Sequence, residues 1–218
     1  GGGCPPKPGF LELVRGLCTK HGIVLAFDEV ITGFRVGLGG AQAEVGVTPD
    51  LTIFGKAIAG GIPLAAVAGK REIFDQIRNK RVVGAGTFNA FPVGMVAALS
   101  TISLLEENQG EVYKVRNAVQ SHIEEEMKKS AARHGHALIT QGLKGAFCSH
   151  FTEEEVLWNY EDVASKSDGQ KAVRFRHLLR EEGIIQGLGN RFLVSFALNE
   201  ADAEEAARRI DRALARLS

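Results

Sequence analysis

Several things are scarce in this 218-residue chain, and each scarcity removes a class of function. It has no surplus of either charge: 26 basic residues balance 26 acidic ones. A chain balanced in this way does not advertise an interaction with nucleic acid or an anionic membrane. Apolar runs are short, and Ile23 to Phe27 is only of strand length, far from what a bilayer requires. No secretory leader is read in it, so the expectation is a cytoplasmic protein. Cys4, Cys18 and Cys148 are odd in number and far apart, with no Cys-x-x-Cys pair, which argues against a disulfide framework or a structural zinc site. His134 and His136 have no acidic or cysteine set beside them and read as solvated surface histidines; no metal is expected.

Familiar phosphate and nucleophile motifs are also missing. Gly55-Lys56 has Asp50 and Ala57 where a P-loop needs Gly and Ser or Thr. Gly37-Leu38-Gly39 fails as a dinucleotide fingerprint at Gln42, and Gly84-Ala85-Gly86 fails at Asn89. No Gly-x-Ser-x-Gly elbow occurs.

What is present is a 44% hydrophobic chain with alternating helix and strand signals. Helical spacing marks residues 8–22, 92–107 and 111–133, a helix from Asp168 to Glu182, and a last helix with Ala203, Ala207, Ile210, Leu214 and Leu217 in line behind the capping Asn199. Continuous apolar runs at 23–27, 51–54 and 64–68 suit strands buried on both faces of a parallel sheet. Shorter strands are expected at 146–151, 183–186 and 191–196. The fold class expected is α/β: part of a mostly parallel sheet with flanking helices, then a smaller α+β domain. The divisions read are 1–110, a linking helix 111–136, and 137–218.

Two polar residues end buried strands: Asp28 after Phe27, and Lys56 after Phe54-Gly55. Ligands of open parallel sheets bind beyond the carboxyl ends of the strands, so a carboxylate and an amine there could face one ligand. Spacing alone favours the plainer reading, a solvated turn Asp and an exposed loop Lys.

The neighbouring residues are more specific. Asp28-Glu29-Val30-Ile31-Thr32-Gly33-Phe34-Arg35, Pro49-Asp50-Leu51-Thr52-Ile53-Phe54-Gly55-Lys56-Ala57-Ile58-Ala59-Gly60-Gly61 and Gly86-Thr87-Phe88-Asn89 occur in that order. Together they resemble the signatures of class III aminotransferases, fold-type-I enzymes dependent on pyridoxal 5'-phosphate (PLP). The lysine motif is closest in form to glutamate-1-semialdehyde aminomutase and its relatives.

The resemblance implies that Lys56 is the Schiff-base lysine, Asp28 the partner of the pyridine nitrogen, and Val30 the packing against one ring face. It implies that Thr87 bonds the cofactor phosphate bound by a neighbouring subunit, hence a homodimer with shared sites. The partners implied are a small-molecule amino donor and a carbonyl acceptor. Glu29 is read as holding the loop after its strand, with no catalytic role.

Arg191 aligns with a substrate-carboxylate arginine of ω-amino-acid aminotransferases, although Val194-Ser195 replaces the usual Pro pair; the plain alternative is a salt-bridged or exposed strand-end arginine. Asn89-Ala90-Phe91-Pro92 departs from the Ser-Gly-Asn-Pro usual in aminomutases, and Phe91 would reshape that pocket. Relatives are longer, with a phosphate-holding helix N-terminus upstream, so the chain reads as the C-terminal portion of a longer protein. The expectation is therefore a PLP-dependent transaminase. The alternatives are a 2,1-aminomutase or a catalytically silent fragment.

Overall fold

The computed structural model describes residues 2–217, with residues 108 and 109 described by their backbone alone. The chain divides into two compact units: residues 8–110, and residues 111–218 together with the opening segment 1–7.

In the first unit, α1 (Phe10–His21) ends on Gly22, whose φ of 63° lets its N–H turn back to the Cys18 and Thr19 carbonyls. Next come β1 (Ala26–Glu29), the short α2 (Gly40–Val45) and β2 (Leu51–Phe54). A 3₁₀ turn over Lys56–Ala59 leads to β3 (Ala66–Gly69), α3 (Arg71–Arg78) and α4 (Pro92–Glu106). The sheet order is β1-β2-β3.

This sheet corrects two expectations. Only β1 and β2 run parallel, with Ala26 opposite Leu51 and Glu29 opposite Phe54; β3 returns antiparallel to β2. Parallel neighbours need a long crossover, whereas residues 55–65 are a short connection through Gly60 and Gly61, both at positive φ. Nor is β1 buried on both faces: Ala26 and Asp28 are exposed while Glu29 is buried. The strand also starts later than the apolar run. The Leu25 N–H is taken by the Asp50 carboxylate at 2.8 Å, and Ile23 and Val24 stay 55% exposed.

Asp50 pins the amino end of β2. It also accepts from Arg15 at 2.8 Å and Lys70 at 2.6 Å. These contacts, led by the Leu25 N–H, hold its carboxyl far below the usual carboxylate range.

α4 carries no charge before Glu106 and has Pro92 at its first turn. It buries Gly94, Ala98 and Leu105, and Ala98 packs with Ile58 and Ala59 behind Lys56. Val93, Met95, Val96, Leu99 and Leu104 on its other side remain exposed.

The second unit contains α5 (Glu111–Arg133), β4 (Ile139–Leu143), β5 (Ala146–His150), α6 (Tyr160–Lys166), α7 (Gly169–Glu181), β6 (Arg191–Leu193) and α8 (Glu200–Ala215). Its sheet is antiparallel throughout, in the order β4-β5-β6. α5 and α8 pack together, and the core holds Met127, Phe147, Phe175, Leu179, Ile210 and Leu214. Phe147 and Phe192 stack across β5 and β6 at 4.8 Å.

No strand forms at 183–186. Gly183, at φ 80°, ends α7, with its N–H on Arg180 and the Ile184 N–H on Leu179, so this backbone is used in capping. The two histidines are partly buried and have protein partners: His134 Nε2 meets Asp211 at 3.0 Å and His136 Nε2 donates to the Leu214 carbonyl at 3.1 Å.

Candidate active site

Because β1 and β2 are parallel and in register, their carboxyl ends share one edge. Asp28 stands opposite Ile53, and Lys56 follows three residues later. Asp28 points to the open face of the sheet, since the alternation that buries Glu29 exposes its neighbour. Its Oδ1 accepts from the Val30 N–H at 3.0 Å. That bond fixes the carboxylate's direction and leaves Oδ2 without a protein partner among the described residues.

Val30 turns its methyls over the backbone of Gly55. A Cβ placed on Gly55 would stand 3.3 Å from Val30 Cγ1. Lys56 begins the 3₁₀ turn in the left-handed region, at φ 45°. A non-glycine residue held there costs about 1–3 kcal/mol, and such strain concentrates at functional positions. The turn is anchored by Ile58 and Ala59, while Lys56 itself stays exposed. Its amine pairs with no carboxylate among the described residues. Asp28, Val30 and Lys56 are thus gathered at one sheet end: an oriented anion, an apolar wall and an accessible amine.

Glu29 holds this end in place from the buried side. It is 1% exposed. Its carboxylate accepts from Thr32 Oγ1 at 2.8 Å, the Ala41 N–H at 2.7 Å, the Gln42 N–H at 3.0 Å and Gln42 Nε2 at 3.1 Å. The two backbone donors belong to the first turn of α2, where a carboxylate is favoured.

Thr87 lies in a turn, exposed, with the Asn89 N–H closing onto the Gly86 carbonyl at 3.0 Å. Among the described residues no contact joins it to Asp28, Val30 or Lys56. Arg191 belongs to the second unit, where it opens β6 and is half-buried. It is neither salt-bridged nor fully exposed: no carboxylate pairs with it among the described residues, and it stands opposite Cys148 across β5 and β6. Sequence reasoning missed that pairing, because it depends on strand register.

The arrangement in the first unit can do two things. An unpaired amine can add to a carbonyl, and an oriented carboxylate can keep a nearby ring nitrogen protonated.

The sequence matches the description "Aminotransferase class-III" over residues 1–214. An ω-transaminase from Sphaerobacter thermophilus superposes with a TM-score of 0.88 at 29% identity, over 96% of this chain and 48% of its own. A β-phenylalanine aminotransferase from Variovorax paradoxus gives 0.84 at 25%, over 97% and 48%. A glutamate-1-semialdehyde aminomutase from Pseudomonas aeruginosa PAO1 gives 0.82 at 20%, over 99% and 49%, a likeness that speaks to the fold. The chain spans about half the length of these structures.

Proposed function

The chain belongs to the class III aminotransferase family, and on that premise we propose that its full-length protein is a PLP-dependent transaminase. It would move an amino group from an amino acid or amine to a carbonyl acceptor, with Lys56 and Asp28 as its catalytic residues. The observation that carries this is the sheet end itself, where a carboxylate with one unclaimed oxygen and an unpaired amine stand at the ends of adjacent parallel strands.

These residues fit PLP: an aldehyde for Lys56, a ring nitrogen for Asp28 and a flat apolar face for Val30. When bound, the cofactor supplies an electron sink for the charge left at a substrate carbon that loses a proton. Asp28 keeps the ring nitrogen charged, since a nearby anion favours protonation. Lys56, with its free amine, takes the proton from the substrate carbon and returns one, as base and then acid. Val30 keeps water from one side of the ring.

Thr87 is proposed as a phosphate contact toward a neighbouring subunit in a homodimer. Its exposure, beside an exposed Phe88 and the uncovered side of α4, supports that placement. Arg191 is proposed to receive a substrate carboxylate, supported by its unneutralised guanidinium. Phe91, half-covered and edge-on to Phe88 at 6.2 Å, favours a transaminase pocket over the mutase one.

The test uses full-length protein loaded with PLP. Borohydride reduction should fix the cofactor to the peptide containing Lys56, read by mass. Amine turnover should then require an added carbonyl acceptor. Isomerised product without an acceptor would establish the aminomutase instead, and no label on Lys56 would leave the silent reading.

A further inference from the structure

Lys56 is held at φ 45°, and Phe34, in the same compact unit, stands at φ 58°. Backbone strain of this kind persists only where the surroundings over-determine the conformation. At Lys56 the determining contacts come from the loop that begins after Asp28. Val30 crowds Gly55, the residue before the lysine. Gly33 lies against Phe54: a Cβ on it would stand 2.5 Å from Phe54 Cδ1 and 2.8 Å from the Glu29 carbonyl oxygen. The Phe34 ring then meets the Phe54 ring at 5.3 Å between centroids, tilted by 52°.

Both rings pack on the cluster of Ile58, Ala59 and Ala98, which anchors the turn behind Lys56. The Ile58 and Gly60 N–H groups close that turn onto the Gly55 and Ala57 carbonyls, at 3.2 and 3.3 Å. The loop itself is tied to β1 by the Gly33 N–H, which donates to the Glu29 carbonyl at 2.8 Å. Phe34 is thus fixed through its backbone to the strand that carries Asp28, and through its ring to residues before and after Lys56.

Resting on the reading of Lys56 and Asp28 as the pair that holds PLP, we propose that Phe34 is a positioning residue: its ring, acting through Phe54, sets where the Lys56 amine stands relative to Asp28. The two groups must reach opposite ends of one flat ring, the carboxylate at the nitrogen and the amine at the aldehyde. Their separation therefore has to match the cofactor. The strand ladder alone does not fix it, because the register of β1 with β2 ends at Glu29 and Phe54, short of Lys56. A tilted aromatic pair contributes on the same scale as the strain at one left-handed residue, so its loss lets the turn relax.

The experiment uses the full-length protein with and without PLP. Borohydride reduction of the loaded parent first locates the cofactor on the Lys56 peptide. Amide exchange is followed at Ile58 and Gly60 in the cofactor-free protein, and PLP affinity by absorbance titration. Visible circular dichroism per bound PLP reads how the ring is held. Phe34→Leu stays apolar but loses the ring. It should speed exchange at Ile58 and Gly60 about tenfold, weaken PLP about tenfold and cut the dichroism by about half, with Lys56 still labelled. Phe34→Tyr keeps the ring and should restore most of each loss. Phe54→Leu should reproduce the changes, and the double variant should be no worse than either single one, because both remove the same contact.

If Phe34→Leu lowers the thermal midpoint but leaves the dichroism of bound PLP unchanged, Phe34 only packs and the positioning role is overturned. Losses that add in the double variant overturn it as well. Should Phe34→Leu not fold, Phe54→Leu carries the same readouts, and an unchanged dichroism there is equally fatal. No label on Lys56 in the parent removes the reading of the site itself, whereas a labelled Lys56 with unaltered variants removes this proposal alone.

Discussion

Glu29 and Gln42 are joined twice: Glu29 Oε1 accepts from the Gln42 backbone N–H at 3.0 Å and from its side-chain amide at 3.1 Å. The carboxylate that makes these bonds is buried one residue beyond Asp28. It therefore ties the start of α2 to the strand end that presents the candidate site. Gly40 is required beside it, because a Cβ there would collide with the carboxylate.

Glu29→Ala should consequently unfold the loop after β1 before it touches chemistry. Four donors lose their acceptor, and a buried unsatisfied group costs about 1–3 kcal/mol, only part of which water can recover. The expected loss is roughly 3 kcal/mol in the full-length protein, read by urea unfolding, with faster amide exchange at Ala41 and Gln42. Glu29→Gln keeps an acceptor but turns an amide toward donors, and should fall in between.

Asp50 predicts an acid sensitivity. Its folded-state carboxyl lies far below the ordinary value, chiefly through the Leu25 N–H, then Lys70 and Arg15. A depressed carboxylate contributes stability that is fully present above the unfolded value of about 3.9 and is lost as pH falls toward the folded one. The thermal midpoint of the full-length protein should therefore drop progressively below about pH 4. Asp50→Asn should begin lower at pH 7 and fall less steeply over the same window. Parallel curves for the two proteins would contradict this.

The legible parts of the fold are those where local signals and tertiary demands agree. β2 lies at Leu51–Phe54 as its apolar run reads, and α8 follows its three-and-four spacing behind an Asn199–Asp202 capping box. The start of β1 was not legible, since Leu25 gives its N–H to a carboxylate 25 residues away. β4 escaped notice because Gln141 and Gly142 interrupt its apolar pattern, although β5 pairs along its whole length. The same division holds at the site. Asp28 and Lys56 stand at strand ends that sequence can locate, whereas Cys148 meets Arg191 only through a register set by the folded sheet.

Gly55 is constrained by its neighbour and not by its backbone. Its φ of −168° is extended, open to any residue. A Cβ, however, would stand 3.3 Å from Val30 Cγ1, tighter than an ordinary contact. Gly55→Ala should push Val30 aside and weaken PLP binding about tenfold, with the apo protein's thermal midpoint changed by little. A cofactor titration of the full-length protein followed by absorbance reads this directly. Val30→Ala in the same background, which removes the crowding methyls, should restore part of the affinity.

Asp28→Asn isolates charge from shape. The Val30 N–H bonds Asp28 Oδ1 at 3.0 Å, and an asparagine oxygen can accept it equally. The strand end should keep its form, and the thermal midpoint should move by no more than about 2 °C. The amide cannot balance a positive ring nitrogen, so that nitrogen should lose its proton and the electron sink should weaken. The expected fall in kcat is roughly 10²–10⁴-fold, with KM for the amine changed far less. An N-methylated PLP analogue, whose ring nitrogen is permanently charged, should recover part of the lost rate in Asp28→Asn and give no gain in the parent enzyme. A variant that keeps more than a third of the parent kcat would remove Asp28 from the catalytic role, whatever its position on the sheet.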